Sequence, residues 1–118
     1  MDDAVSRARA YVEAGADAIM IHSRKKQPDE VFSFASIFRG QFEHIPLVCV
    51  PTSYSHVTED ELAAHGFNIV IYANHLLRAA YPAMKKAALG ILQDGRSSAV
   101  EKNLISIKEI LELIPGTK

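Results

Sequence analysis

Three short apolar runs, each ending abruptly in polar residues, constrain this chain more than any other feature. They are Ala18-Ile19-Met20-Ile21 before His22-Ser23, Leu47-Val48-Cys49-Val50 before Pro51-Thr52-Ser53, and Ile69-Val70-Ile71-Tyr72 before Ala73-Asn74-His75. None alternates apolar with polar, so each suits a strand covered on both faces, as in a parallel sheet. Their starts lie roughly 20 to 30 residues apart, the spacing of units in which a helix returns the chain to the next parallel strand.

The segments between the runs carry helical signals. Asp2 and Asp3 offer caps and favourable charge at a helix start, Ala4, Ala8, Tyr11 and Val12 recur at helical spacing, and Gly15 supplies a stop. Pro28 opens a second helix with Asp29 and Glu30 in its first turn and an apolar stripe of Val31, Phe34, Ala35 and Phe38; Gly40 ends it. Pro51–His56 reads as a polar loop. Thr58 and Glu61 form a capping box for a short third helix that stops at Gly66. A long helix is expected over Leu76–Gln93 with Pro82 inside it, then a linker containing Ser97 and Ser98. Ser106 and Glu109 form a second capping box before a last helix that Pro115-Gly116 ends. The order is therefore helix, three strand–helix units, helix. The opening helix has no strand before it, and three strands fall short of the eight, in about 250 residues, of a closed barrel.

Composition narrows the function classes. A chain of 118 residues with 48% hydrophobic side chains suits one domain with a modest core. Thirteen basic and 14 acidic residues leave a net charge of −1, without the basic footprint of a nucleic-acid binder. No apolar run approaches the roughly 18 residues of a membrane span, and the opening MDDAVSRARA lacks the apolar region of a signal peptide. A cytoplasmic setting is the expectation. The single cysteine, Cys49, rules out an internal disulfide, and within a strand it reads as a small buried hydrophobe.

Ligands of parallel α/β folds meet the carboxyl ends of the strands. All three ends here are polar, which brings His22, Ser23, Thr52, Ser53, Asn74 and His75 to one rim. Polar residues also end strands simply because strands end in solvent. His22 stands out because it follows an apolar strand directly and precedes Arg24, Lys25 and Lys26, a setting suited to an anion. His44, His56 and His65 have no metal-ligand spacing. No glycine-rich phosphate loop, no G-x-S-x-G and no paired acids at a strand end are found, so the usual magnesium ligands are missing from this rim.

At these strand ends the chain resembles the phosphoenolpyruvate mutase branch of the isocitrate lyase superfamily. The resemblance is carried by YVEAGADAIMIHSRKKQPDEV, PLVCVPTSY, GFNIVIYANHLLRAAYPAM and VEKNLISIKEIL, in the family's order and spacing. It implies the C-terminal portion of a (β/α)8 TIM-type barrel, about three parallel strands with helices, over residues 1–118 as a single partial-barrel domain. Residues 97–118 would be a C-terminal helical extension packing on a neighbouring subunit, hence a homo-oligomer. The implied activity is interconversion of phosphoenolpyruvate and phosphonopyruvate with magnesium, in phosphonate biosynthesis. The family's magnesium ligands and mobile loop belong to earlier strands, so the resemblance implies an upstream half-barrel partner and no turnover by these residues alone. His22 would be the catalytic and substrate-binding contact, with Ser23, Thr52 and Asn74 as further contacts to a small anionic 2-oxo acid or phosphonate. At Ser53 the family's mutases carry a lysine. Phosphonopyruvate hydrolase, or another 2-oxo acid lyase of the superfamily, is the alternative activity; a non-catalytic half-barrel remnant is the alternative outside enzymology.

Overall fold

The computed structural model describes residues 1–114 and Gly116. The expected end of the last helix at Pro115 lies outside the described residues. Nine elements follow one another: α1 (Asp2–Glu13), β1 (Ile19–Ile21), α2 (Asp29–Arg39), β2 (Leu47–Cys49), α3 (Glu59–Ala64), β3 (Ile69–Val70), α4 (His75–Asp94), α5 (Ser98–Glu101) and α6 (Ile107–Leu113). They fall into two compact units, residues 1–73 and 74–118. The division lies ahead of residue 97, where the sequence places the start of an extension.

The first unit is a parallel α/β sector. Its sheet has the order β1-β2-β3, with Met20 paired to Val48 and Val48 to Ile69. The apolar runs thus form strands in sequential order, although each strand is shorter than its run. Ala8, Ile19, Phe34, Phe38, Leu47, Cys49, Leu62 and Phe67 belong to one core cluster, so α1, α2 and α3 all contribute to covering the sheet. The next row of the sheet is covered unevenly. Met20 and Ile69 are 60% and 47% exposed on the two outer strands, while Val48 between them is buried.

Helix ends follow local chemistry. After α1, Gly15 takes φ +96°, its N–H donates to the Val12 carbonyl, and the Ala16 N–H donates to the Tyr11 carbonyl. The same pair of bonds closes α3, from Gly66 to Ala63 and from Phe67 to Leu62, with Gly66 at φ +89°. This left-handed closure satisfies carbonyls that a helix end would otherwise leave open. The capping boxes at Thr58/Glu61 and Ser106/Glu109 both form. Asp2 and Asp3 instead lie within the first turn of α1, whose cap position is Met1, and no side chain caps it. Their charge, not a capping bond, is what favours that end.

One residue ties the amino-terminal ends of the strands together. Arg39, at the end of α2, donates to the carbonyls of Gly66 (2.9 Å from Nε) and Ile45 (2.7 Å), and to the Asn68 side chain. The Asn68 Oδ1 also accepts from the Leu47 N–H at 2.9 Å. A guanidinium presents a fixed fork of donors, so it can serve several carbonyls that a loop leaves unpaired. Gly66 is needed here twice over, because a side chain there would also meet Arg39 at 3.0 Å.

Two sequence expectations are corrected. Pro51–His56 is more than a polar loop: Tyr54 is fully buried and joins the core together with Val57. The turns around it return this stretch to the sheet, so an aromatic flanked by serines packs inward. The segment around Ser97 and Ser98 is not a plain linker, since Ser98–Glu101 forms a helical turn. That turn is held by packing. Val100 is buried, and its Cγ1 would lie 2.6 Å from a Cβ at residue 90, so Gly90 lets α5 pack closely on α4. Within α4, Pro82 lacks an N–H, and the Arg78 carbonyl forgoes its usual helical donor.

Candidate functional site at the carboxyl end of β1

Just past the end of β1, the neighbours His22 and Ser23 differ sharply in burial. Ser23 is buried, 8% exposed, whereas His22 is exposed. The Ser23 hydroxyl donates to Glu30 Oε2 at 2.8 Å and accepts from the Lys25 N–H at 3.1 Å. Lys25 Nζ in turn lies 2.5 Å from Glu30 Oε1. The turn between β1 and α2 is therefore clasped by three side chains. Lys25 and Ser23, both bonded to the Glu30 carboxylate, hold its pKa below the ordinary value.

This clasp changes the electrostatic picture drawn from sequence. Of the three cations after His22, Lys25 is engaged by Glu30, so the positive charge beside His22 is smaller than Arg24-Lys25-Lys26 suggests. His22, Ser23 and Glu30 line a cleft of about 220 Å³ that also reaches Met1, Ala4 and Arg7 at the start of α1. Sequence reasoning missed Glu30 because its role needs a turn that brings it back to Ser23. The signal available was only an acid in a first helical turn.

The other expected contacts are not among the residues that line that cleft. Thr52 follows β2 and is half-buried, outside the lining of the His22 cleft. Asn74 is the cap position of α4 in the second unit, exposed and without a capping side-chain bond. The structure thus brings His22 and Ser23 to one cleft and gives Ser23 a bonded role in the turn.

Three further groups near the strand ends are defined by burial or pairing. Burial pushes the Cys49 thiol up to about 11, which keeps it protonated and a poor nucleophile at neutral pH. Burial, with Cys49 adding to it, pushes Tyr54 to about 12. The Tyr54 hydroxyl has no hydrogen-bond partner among the described residues. Tyr72, after β3, donates to Glu59 Oε1 at 2.8 Å and joins the loop after β3 to the start of α3.

The residues present do not fit a magnesium centre. Among the described residues no three His, Cys, Asp or Glu side chains gather to hold a metal. Glu30, the carboxylate in the His22 cleft, is already bound by Lys25 and Ser23.

Comparison with known proteins accounts for this partial rim. The chain is 48% identical over 112 residues to the phosphonopyruvate hydrolase of Variovorax sp. (strain Pal2), a match that takes in 94% of this chain and 38% of that protein. The crystal structure of phosphoenolpyruvate phosphomutase from Streptomyces platensis subsp. rosaceus superposes with a TM-score of 0.84 at 38% identity, over 95% of this chain and 38% of that one. A phosphonopyruvate hydrolase complex with oxalate and magnesium superposes with a TM-score of 0.81 at 48% identity, over 95% and 39%. The chain therefore spans less than two-fifths of the relatives it matches, and a magnesium complex is a property of one of those longer proteins. Residues 1–92 match the phosphoenolpyruvate phosphomutase family, covering the whole sheet and most of α4. With the sheet order and this match in agreement, the chain belongs to the phosphoenolpyruvate phosphomutase family.

Proposed function

We propose that this chain supplies one sector of an enzyme interconverting phosphoenolpyruvate and phosphonopyruvate, and that it does not turn over substrate without the rest of the barrel. The observation that supports this best is His22, exposed at the carboxyl end of β1 while its neighbour Ser23 is engaged by Glu30. A strand-end imidazole in an open cleft can donate to an anionic oxygen of a phosphonate or carboxylate, which is the charge a phosphoryl-transfer site must stabilise. Ser23, Thr52 and Asn74 are proposed as secondary contacts, with Ser23 acting mainly through the turn it holds. Magnesium would be held by carboxylates outside these residues.

A second reading, phosphonopyruvate hydrolysis, is favoured by one observation. The hydrolase is 48% identical to this chain, against 37% for the phosphoenolpyruvate phosphomutase of Tetrahymena pyriformis over a similar share. The two differ in the fate of the C–P bond: the mutase moves the phosphoryl group to oxygen within one molecule, whereas the hydrolase delivers it to water. Homo-oligomerisation and a cytoplasmic setting are part of the proposal. Leu76, Leu92 and Ile107, 86%, 79% and 75% exposed, support a neighbouring subunit over α4–α6.

Phosphorus NMR with phosphonopyruvate and magnesium tests this. The chain alone should leave the substrate unchanged; joined to the upstream barrel sector of a relative, it should convert it. Phosphoenolpyruvate as product supports the mutase, inorganic phosphate the hydrolase. In the joined protein, His22→Ala should lower kcat/KM by at least about tenfold. An unchanged rate removes His22 from the site, and no conversion by the joined protein overturns the proposal.

A further inference from the structure

The clasp between β1 and α2 closes on itself. The Ser23 hydroxyl donates to Glu30 Oε2, Lys25 Nζ pairs with Glu30 Oε1, and the Lys25 N–H returns to the Ser23 hydroxyl. Each oxygen of one carboxylate is thus taken by a different residue of the turn. The clasp joins the first turn of α2 to the main chain directly after His22. The His22 imidazole has no hydrogen bond or ring contact of its own among the described residues. Its place is therefore set by the main chain on either side. Before it, Ile21 is held in register with Cys49 by the sheet; after it, Ser23 is held by Glu30.

The clasp is poorly suited to holding up the fold. The Lys25 and Glu30 side chains are 67% and 46% exposed, and an ion pair open to water contributes little to folding. It is well suited to holding a geometry. A serine hydroxyl has a single proton; that of Ser23 goes to Glu30, which leaves none for an anion in the cleft. Glu30 lines the same cleft as His22, yet both of its oxygens are engaged by the turn. What remains for Ser23 and Glu30 is to fix the residue that lies between them and β1.

We infer that Glu30 is a positioning residue: its carboxylate, acting through Ser23, fixes the main chain that carries His22 beside the cleft. This rests on the reading of His22 as the contact to an anionic phosphonate or carboxylate. It adds to that site a helix residue that touches no substrate. An imidazole on an untied turn samples several directions, and few of them aim a donor at the reacting group. Holding the right direction in advance lowers the barrier without any contact between Glu30 and substrate.

The test uses the chain joined to the upstream barrel sector of a relative, with the full chain alone as a second arm. In the joined protein, Glu30→Ala should lower kcat about tenfold and leave KM within about twofold, because misplacement is felt mainly in the transition state. Glu30→Gln keeps an oxygen that accepts from Ser23 and should recover most of the loss. Asp29→Ala removes the same charge from the same helical turn, at an exposed residue outside the clasp, and should leave kcat unchanged. The urea midpoint should be the same in all three variants. Full kcat in Glu30→Ala, an equal loss in Asp29→Ala, or no recovery in Glu30→Gln would each overturn the inference. So would a loss of kcat that follows a fall in the midpoint. In the chain alone, Glu30→Ala should move the amide and ring resonances of His22, and Asp29→Ala should not. If the joined protein converts no phosphonopyruvate, the catalytic reading falls and this arm decides. His22 resonances that stay in place then overturn the hold of Glu30 on His22, and resonances that move sustain it.

Discussion

Residues 1–73 and 74–118 have comparable supplies of apolar side chains and use them in opposite ways. In the first unit the apolar faces of α1, α2 and α3 share one core cluster with the sheet. In the second, α4 carries Leu76, Leu77, Tyr81, Met84, Leu89, Ile91 and Leu92, all exposed, and Val100 is the one buried apolar side chain among the described residues of that unit. The difference teaches that an amphipathic pattern specifies a face to be buried without specifying what buries it. A sheet gives three helices a common layer to pack on; a helical segment has no such layer within itself.

The largest test of that contrast is a pair of truncations. Phe38→Ala, at a side chain 1% exposed, should cost about 3–5 kcal/mol in urea unfolding. Leu92→Ala, at 79% exposure, should stay within about 0.5 kcal/mol in dilute monomer. A comparable loss at Leu92 would break the contrast by showing that α4 is covered in solution. If Leu92→Ala acts only at high protein concentration, the cover is another copy of the chain.

A smaller effect examines the one packed contact of the second unit. Gly90→Ala should raise the helical propensity of α4 by about 1 kcal/mol. The added methyl would meet Val100 at 2.6 Å, where overpacking costs about 1–3 kcal/mol. The expected net result is loss of protection at the amides of α5 in hydrogen exchange, with the first unit unchanged. Stabilisation of the second unit would mean that α5 moves aside freely.

The smallest effect is in acid. Bonds from Thr58 and from Ser106 hold Glu61 and Glu109 below their ordinary pKa values. A lowered folded-state pKa contributes stability that is present above the unfolded value and lost as pH falls through the folded one. The two caps should therefore weaken together on acidification, with unequal consequences. α3 keeps Leu62 fully buried, whereas α6 buries no residue. Amide exchange followed downward in pH should report opening of α6 before α3. Simultaneous opening would show that the cap alone, and not the core, sets the stability of α3.

Much of this was legible in the chain because it is local. Capping boxes need two residues three apart, left-handed helix closures need one glycine, and buried parallel strands need only a short apolar run, so Thr58/Glu61, Gly15, Gly66 and the three strands could be placed from their neighbours. The resemblance carried by AGADAIMIHSRK led to the family. What was not legible depends on residues meeting across the fold. Nothing around Arg39 announces that it will serve the Gly66 and Ile45 carbonyls, and nothing around Tyr54 announces its burial.

By itself the sequence determined the order of the elements other than α5, the helix stops at Gly15 and Gly66, the two capping boxes, the parallel sheet class and a histidine at a strand end. Those properties follow from backbone preference and hydrophobic period, which act over a few residues. Only the tertiary structure decided that Ser23 and Lys25 engage Glu30, that Met20 lines an open edge, and that α4 meets α5 through Gly90. Each of these is a contact, and a contact is selected by sterics and pairing among groups that the chain brings together only after it has folded.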